Sequence, residues 1–272
     1  MNFFKSNIKI ILFFLLTLFI FFNAAIEPFV IYDMQIVKLP YNDSMFFQVY
    51  ASSILIAFIA LCALSILDFK DLKSKHWVIA TVFGIVALLP MLISATSANL
   101  SLATAVFFTY LASVTMRNQY GNKMPIVTSP KPRHLITDVS IVVTIILVWL
   151  LSIPWSSVEL SFSISNTLWA LTAATAEEVI FRLFLFYVIV KLSKDNNPPM
   201  LVTLLILVIP FSVWHIIGDS MQNGLLYGLN SLQSFIFTST IISILALKRG
   251  LFAAILLHFL INFIQGILQH IS

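Results

Sequence analysis

A single cysteine in 272 residues rules out a disulfide framework, a CxxC redox pair and a thiolate metal site. That residue, Cys62, lies in an apolar stretch and reads as a small packing side chain. Charge is as scarce: Asp, Glu, Lys and Arg make up 10% of the chain against 60% hydrophobic residues, which leaves no room for a soluble domain. Glycine is sparse too, with 7 residues beside 25 Phe, and Lys outnumbers Arg 11 to 4. That bias is expected of an AT-rich genome and points to a low-GC bacterium. There is no repeat of fixed period and no low-complexity segment.

What remains is apolar length. Nine stretches are long enough to cross a bilayer as helices, approximately 8–26, 46–67, 77–97, 99–116, 136–153, 167–190, 200–217, 229–247 and 251–270. The fold class expected is all-α, a polytopic helix bundle. The third and fourth stretches are separated only by a short turn near Asn99, so eight spans with a re-entrant pair stay open. With the N-terminus inside, 13 of the 15 basic residues fall in cytoplasmic segments and only Lys38 lies outside; the positive-inside rule therefore places the C-terminus outside. The sequence pI of about 9.2 reflects that orientation and not nucleic-acid binding. The first stretch also resembles a signal peptide, but it is long for one and is read as an uncleaved anchor. The loop Arg117–Arg133, with Pro125, Pro130 and Pro132, divides a four-span scaffold block (1–134) from a five-span core (135–272) that holds every unusual polar residue.

Three of those polar residues interrupt the apolar run Thr167–Val190: Glu177, Glu178 and Arg182. A charge at the bilayer centre costs roughly 2.5 to 3.5 kcal/mol, whereas each Leu, Ile, Phe or Val returns about 0.3 to 0.6. The twelve strong apolar residues of this run offset its three charges at best. Neighbouring helices must help to hold it, and a buried ionisable cluster is a functional-site hypothesis by default. On an α-helical wheel Glu178 and Arg182 stand about 40° apart in the favourable i, i+4 order. Glu177 points about 140° away from Arg182 and has no obligatory partner. That frees it to act as a general base.

Two later runs each carry a histidine, paired with a residue one turn away. Phe211 precedes His215, and Asn262 follows His258, so each pair shares a helix face. A solitary histidine in an apolar helix is usually an interhelical hydrogen-bonder; two of them, beside a glutamate pair, favour catalysis. His76, His134 and His270 lie at span ends or in loops and read as interfacial, and Asp138 as a helix-end residue. Counted from cytoplasmic span ends, Glu177 is about 13 residues deep, His215 about 15 and His258 about 7. At 1.5 Å per residue that is a mismatch near 10 Å, which tilt or a kink at Pro210 has to absorb.

The strings Glu177-Glu178-Val179-Ile180-Phe181-Arg182, Phe211–His215 and His258–Asn262 resemble the EExxxR, FxxxH and HxxxN motifs of the CPBP family, also called Abi, which comprises CAAX prenyl proteases and bacteriocin-processing or immunity enzymes. The resemblance covers roughly residues 135–270, in the right order and in successive apolar helices. It implies an intramembrane endopeptidase in which Glu177 and His215 activate water while His258 and Asn262 stabilise the oxyanion, with Glu178, Arg182 and Phe211 in support. The chemistry of the side chains agrees: peptide hydrolysis needs an activated water and donors for the developing oxyanion, and an Asn amide is a donor, never a base. No Ser or Cys stands in helical relation to these histidines as a nucleophile.

Metal dependence stays open at this level. Glu177, His215 and His258 are a possible two-His, one-carboxylate zinc set, yet HExxH is absent, and the prenyl-protease resemblance implies a metal-free glutamate mechanism, which is preferred. The expected substrate is a membrane-associated peptide or protein, with a bacteriocin, pheromone or sensor kinase as a possible partner, at the bacterial cytoplasmic membrane. A non-catalytic immunity or signalling protein is the alternative. A proton-coupled transporter comes third, because inverted repeats and paired interrupted helices are lacking.

Overall fold

The computed structural model describes residues 53, 55–64, 72–92, 97–120, 140, 143–144, 146–147, 158–192, 200–223 and 225–270. The first stretch, 8–26, residues 121–133 of the loop that divides the two blocks, His134 and Asp138 lie outside the described residues; Arg117 to Tyr120, expected in that loop, close α2. Those described are almost wholly helical: α1 (Ser74–Leu88) with a 3₁₀ turn (Leu89–Leu92), α2 (Ser97–Tyr120), α3 (Ile164–Glu177), a π-helical segment (Glu178–Phe184), α4 (Leu185–Leu192), α5 (Met200–Asn223), α6 (Leu225–Arg249) and α7 (Leu251–Ile267). Two of these contain stretches long and apolar enough to cross a bilayer, Leu100–Gln119 and Ser231–Arg249; shorter apolar helices are Leu55–Leu64, Ser74–Leu88, Met200–Ile216 and Leu251–Ile267.

Polarity is turned inward. Glu178 and Arg182 are fully buried, and Ser239, Ser243, Thr109, Ser113 and Thr172 are covered as well. Val78, Val82 and Ile85 of α1, Leu201 and Ile209 of α5, Phe237 of α6 and Phe252 of α7 face outward. This distribution suits an apolar surrounding, where outward side chains need no water and inward ones find partners. Hydroxyls that have no neighbour to bond turn back on their own helix: in α2, Thr104 donates to the Leu100 carbonyl (2.8 Å), Thr109 to Ala105 (2.7 Å) and Thr115 to Leu111 (2.9 Å).

Local chemistry explains several boundaries. At the start of α1, His76 Nδ1 accepts from the Lys73 backbone N–H at 3.1 Å; burial, with Lys75, Arg117 and Lys73 nearby, holds this imidazole below its usual range, which keeps the accepting nitrogen unprotonated. At the other end, Pro90 has no N–H for the carbonyl of Val86. That carbonyl instead accepts from the Leu89 N–H and, at 2.9 Å, from Thr172 of α3. The third apolar stretch, expected over 77–97, is therefore a helix that stops at Leu88 and a single 3₁₀ turn. Gly250 joins α6 to α7 at φ 103°, a left-handed conformation that disfavours any side chain.

The all-α expectation holds for the described residues apart from one short ribbon. Val158–Leu160 (β1) and Leu268–His270 (β2) form an antiparallel two-stranded ribbon, with Glu159 opposite Gln269. The ninth stretch thus leaves the helix at Ile267 and does not run to residue 270. β1 leads into α3, whose N-cap Ser163 accepts from Asn166 N–H at 3.4 Å; β2 follows α7 directly. Asn166 Nδ2 also donates to the Gly266 carbonyl at 3.2 Å, and a Cβ on Gly266 would meet Asn166 at 3.2 Å. Ribbon and side-chain bond together fix the register of α3 against α7.

The run expected over 167–190 is helical from Ile164 to Leu192, but its middle is π-helical. The i→i+5 pitch from Glu178 to Phe184 widens the turn at the charged residues, where single π-turns are often found at functional sites. This segment packs against α2, α5 and α7. It lies at the centre of the described bundle.

Candidate active site

Glu178 and Arg182 open the π segment and face each other, Arg182 Nη1 standing 3.2 Å from Glu178 Oε1 with neither side chain exposed. The same carboxylate oxygen lies 2.8 Å from Nδ1 of His258 on α7. Arg182 donates from Nη2 to Ser239 Oγ of α6 at 2.9 Å, and its guanidinium carbon sits 3.9 Å from the ring centre of Phe211 on α5. One guanidinium thus ties two helices, α6 and α5, to the π segment by a charge-assisted hydrogen bond and a cation–π contact, while its ion pair with Glu178 lies within the segment.

Glu177, one residue earlier, faces elsewhere. Its Oε2 is 3.5 Å from His215 Nε2 on α5 and 3.7 Å from His258 Nε2 on α7. The 10 Å depth mismatch counted along the sequence therefore closes completely. Counting from span ends measures depth only if the helices begin in one plane and run straight and parallel. Each imidazole is oriented through its other nitrogen. His215 Nδ1 lies 2.9 Å from the Phe211 carbonyl, which only accepts, so Nδ1 carries the proton. His258 Nδ1 faces the Glu178 carboxylate and is likewise assigned as the donor.

The ring of His215 is held by aromatic neighbours: Phe211 at 4.2 Å between centroids, Trp214 at 4.9 Å edge-on and Phe235 of α6 at 4.8 Å. Phe211 therefore contacts both Arg182 and His215, and it is perpendicular to Phe181 at 5.6 Å. The trio of Glu177 and the two histidines retains slight access, the side chains of Glu177 and His215 being 12% and 21% exposed. Glu178 and Arg182 behind them are sealed.

Six of the seven residues singled out by sequence thus meet: Glu177, Glu178, Arg182, Phe211, His215 and His258. Asn262 lies one turn beyond His258 on α7, half-buried, and makes no hydrogen bond among the described residues. Ser239 and Phe235 were not anticipated. Phe235, Ser239 and Ser243 stand at intervals of four and so share one face of the helix, but Asn230, Ser231, Gln233, Ser234, Thr238 and Thr240 on the same helix hide that face in the sequence. As for zinc, Glu177, His215 and His258 are all of a type it takes, but among the described residues no three His, Cys, Asp or Glu side chains are disposed to close round a metal ion.

No curated protein and no solved structure matches the chain. Residues 159–264 match the family model of the type II CAAX prenyl endopeptidases, Rce1-like. All three motifs fall inside that match, so the resemblance to CPBP-family proteases is carried by the whole stretch from β1 to α7 and not by the motif residues alone.

Proposed function

We propose that this chain is an intramembrane endopeptidase of the CAAX prenyl protease type, which hydrolyses peptide bonds of membrane-associated peptides or proteins with a water activated by Glu177 and His215. The observation that carries this reading is the convergence of Glu177 Oε2 with the Nε2 atoms of His215 and His258 across three helices. With Nδ1 protonated on both rings, neutral imidazoles would aim two lone pairs at a carboxylate oxygen that itself has no hydrogen-bond donor among the described residues. Three acceptors cannot face one point without a hydrogen between them. A water donating to Glu177 and His215 satisfies two of them, and a second proton on His258 satisfies the third. His258 is the ring suited to that proton, because Glu178 accepts from its other nitrogen.

This arrangement divides the labour of hydrolysis. Glu177 takes a proton from the water as its oxygen attacks the scissile carbonyl carbon. The carbonyl π electrons move to oxygen, where His258 Nε2–H and the Asn262 amide donate to the oxyanion. Collapse of the tetrahedral intermediate breaks the C–N bond, and Glu177 returns its proton to the leaving amine. No metal is needed in this reading; the zinc alternative remains a matter for the test described below. The nine-span arrangement with the N-terminus inside, in a bacterial cytoplasmic membrane, belongs to the same proposal, as does a peptide pheromone, leader peptide, bacteriocin or membrane protein as substrate or partner.

The deciding experiment compares membrane peptides of a wild-type, a deletion and a Glu177→Gln strain. A protease gives a product set present only in wild type. If Glu177→Gln behaves as wild type while the deletion does not, the chain acts by binding, as an immunity or signalling partner would.

A further inference from the structure

α6 carries none of the three motifs, yet it touches both halves of the site. Ser239 Oγ, fully buried, accepts from Arg182 Nη2 at 2.9 Å. Arg182 in turn holds Glu178 Oε1, and that oxygen faces His258 Nδ1 at 2.8 Å. One turn before Ser239, Phe235 lies against the His215 ring at 4.8 Å and 40°. From this geometry we infer that α6 is the positioning helix of the site: Ser239 orients His258 through the chain Ser239–Arg182–Glu178–His258, and Phe235 orients His215 directly.

The physical reason lies in the count of bonds at the guanidinium. Nε and Nη1 of Arg182 make no hydrogen bond among the described residues, so Nη2 to Ser239 is the one that fixes the plane of the group. Without it the guanidinium is free to rotate over Phe211, and Glu178 Oε1, which depends on Nη1, moves with it. Glu178 accepts from His258 Nδ1 and so fixes the plane of the ring, and hence whether Nε2 points at Glu177. Ser243, a turn further along, is also buried, and its Oγ has no hydrogen-bond partner among the described residues. It serves as the internal control, a serine of the same helix and burial outside the chain.

The role rests on the proposed hydrolytic site, but the test reads the rings and not cleavage, so either idea can fail alone. The full chain, labelled with ¹⁵N in the histidine rings and reconstituted in lipid nanodiscs, is examined by NMR. In wild type His258 is expected to show a bonded Nδ1–H that exchanges slowly. In Ser239→Ala that signal is expected to be lost to fast exchange with water, with His215 unchanged, and Ser239→Thr, which keeps the hydroxyl, is expected to restore it. Ser243→Ala is expected to leave both rings as in wild type. For α6 as a whole, Phe235→Leu is expected to alter the His215 signals and not those of His258. If Ser239→Ala does not accumulate, Ser239→Cys, of similar volume and weaker accepting power, gives the same comparison. A slowly exchanging His258 Nδ1–H in Ser239→Ala or Ser239→Cys, or equal disturbance by Ser243→Ala, overturns the inference.

Discussion

Replacing Arg182 by Gln removes the cation on which the buried cluster is built. In the structure that side chain is fully covered, stands 3.2 Å from Glu178, donates to Ser239 at 2.9 Å and lies 3.9 Å from the Phe211 ring. Breaking a buried pair from one side costs about 3 to 5 kcal/mol, because the partner charge is left without compensation. The lost cation–π contact is worth about 2 kcal/mol when desolvated, but it shares the same group and does not simply add. We therefore expect Arg182→Gln to lose about 4 to 5 kcal/mol, against a total stability on the order of 5 to 15 kcal/mol for a folded domain. Glu178→Gln is expected to lose a similar amount. The double variant Glu178→Gln, Arg182→Gln leaves no unpaired charge on this helix face, and should be more stable than the two losses together imply, by about 1 to 3 kcal/mol. SDS titration of the purified proteins in mixed micelles, with abundance in the membrane measured by immunoblot, gives all three values. The reasoning is refuted if Arg182→Gln lies within about 1 kcal/mol of wild type, or if the double variant loses the full sum.

Other outcomes follow from the same geometry. Glu177→Gln should keep wild-type abundance, since Glu177 is partly exposed and its Oε2 has no hydrogen-bond donor among the described residues, and should abolish the products seen in the membrane peptidome; an abundance as low as that of Arg182→Gln would make the cluster purely structural. Purified protein should retain activity after prolonged chelation and contain no stoichiometric zinc, whereas about one zinc per chain that disappears in His215→Ala would establish the two-His, one-carboxylate alternative. A reporter active only outside the membrane should be silent when fused after Lys194 or Arg249 and active after Ser272. Activity after Lys194 would overturn the nine-span arrangement.

The parts of the site readable from the sequence were those set by short-range helical spacing. Glu178 with Arg182, and Phe211 with His215, are four residues apart, and the α-helical period alone predicts that each pair meets. The same period separates Glu177 from Arg182, and in the structure Glu177 does turn to the histidines. What spacing along one helix cannot give is which helices touch. His258 lies 80 residues from Glu178, and Ser239 lies 57 from Arg182; nothing local to either motif specifies these contacts. Wheel geometry at a constant pitch also missed the π segment, because no residue in Glu178–Phe184 forbids an α-helix and the wider turn is imposed by what packs around it. The ribbon was hidden for a similar reason. Leu268-Gln269-His270 continues an apolar run, and only its partner Val158–Leu160 makes it a strand.

The burial of Glu178 and Arg182 has a consequence for synthesis. The segment that carries them leaves the ribosome before the residues that complete their surroundings, Ser239 and His258. At roughly 5 to 20 residues per second, the 80 residues between Glu178 and His258 amount to about 4 to 16 s. During that time two glutamates and an arginine are committed to a helix whose apolar residues barely offset them. Only the Glu178–Arg182 contact is available within the segment itself. The i, i+4 pair is thus the one that must form first, and the nascent helix waits, half-neutralised, at the translocon or the membrane edge until α6 and α7 arrive.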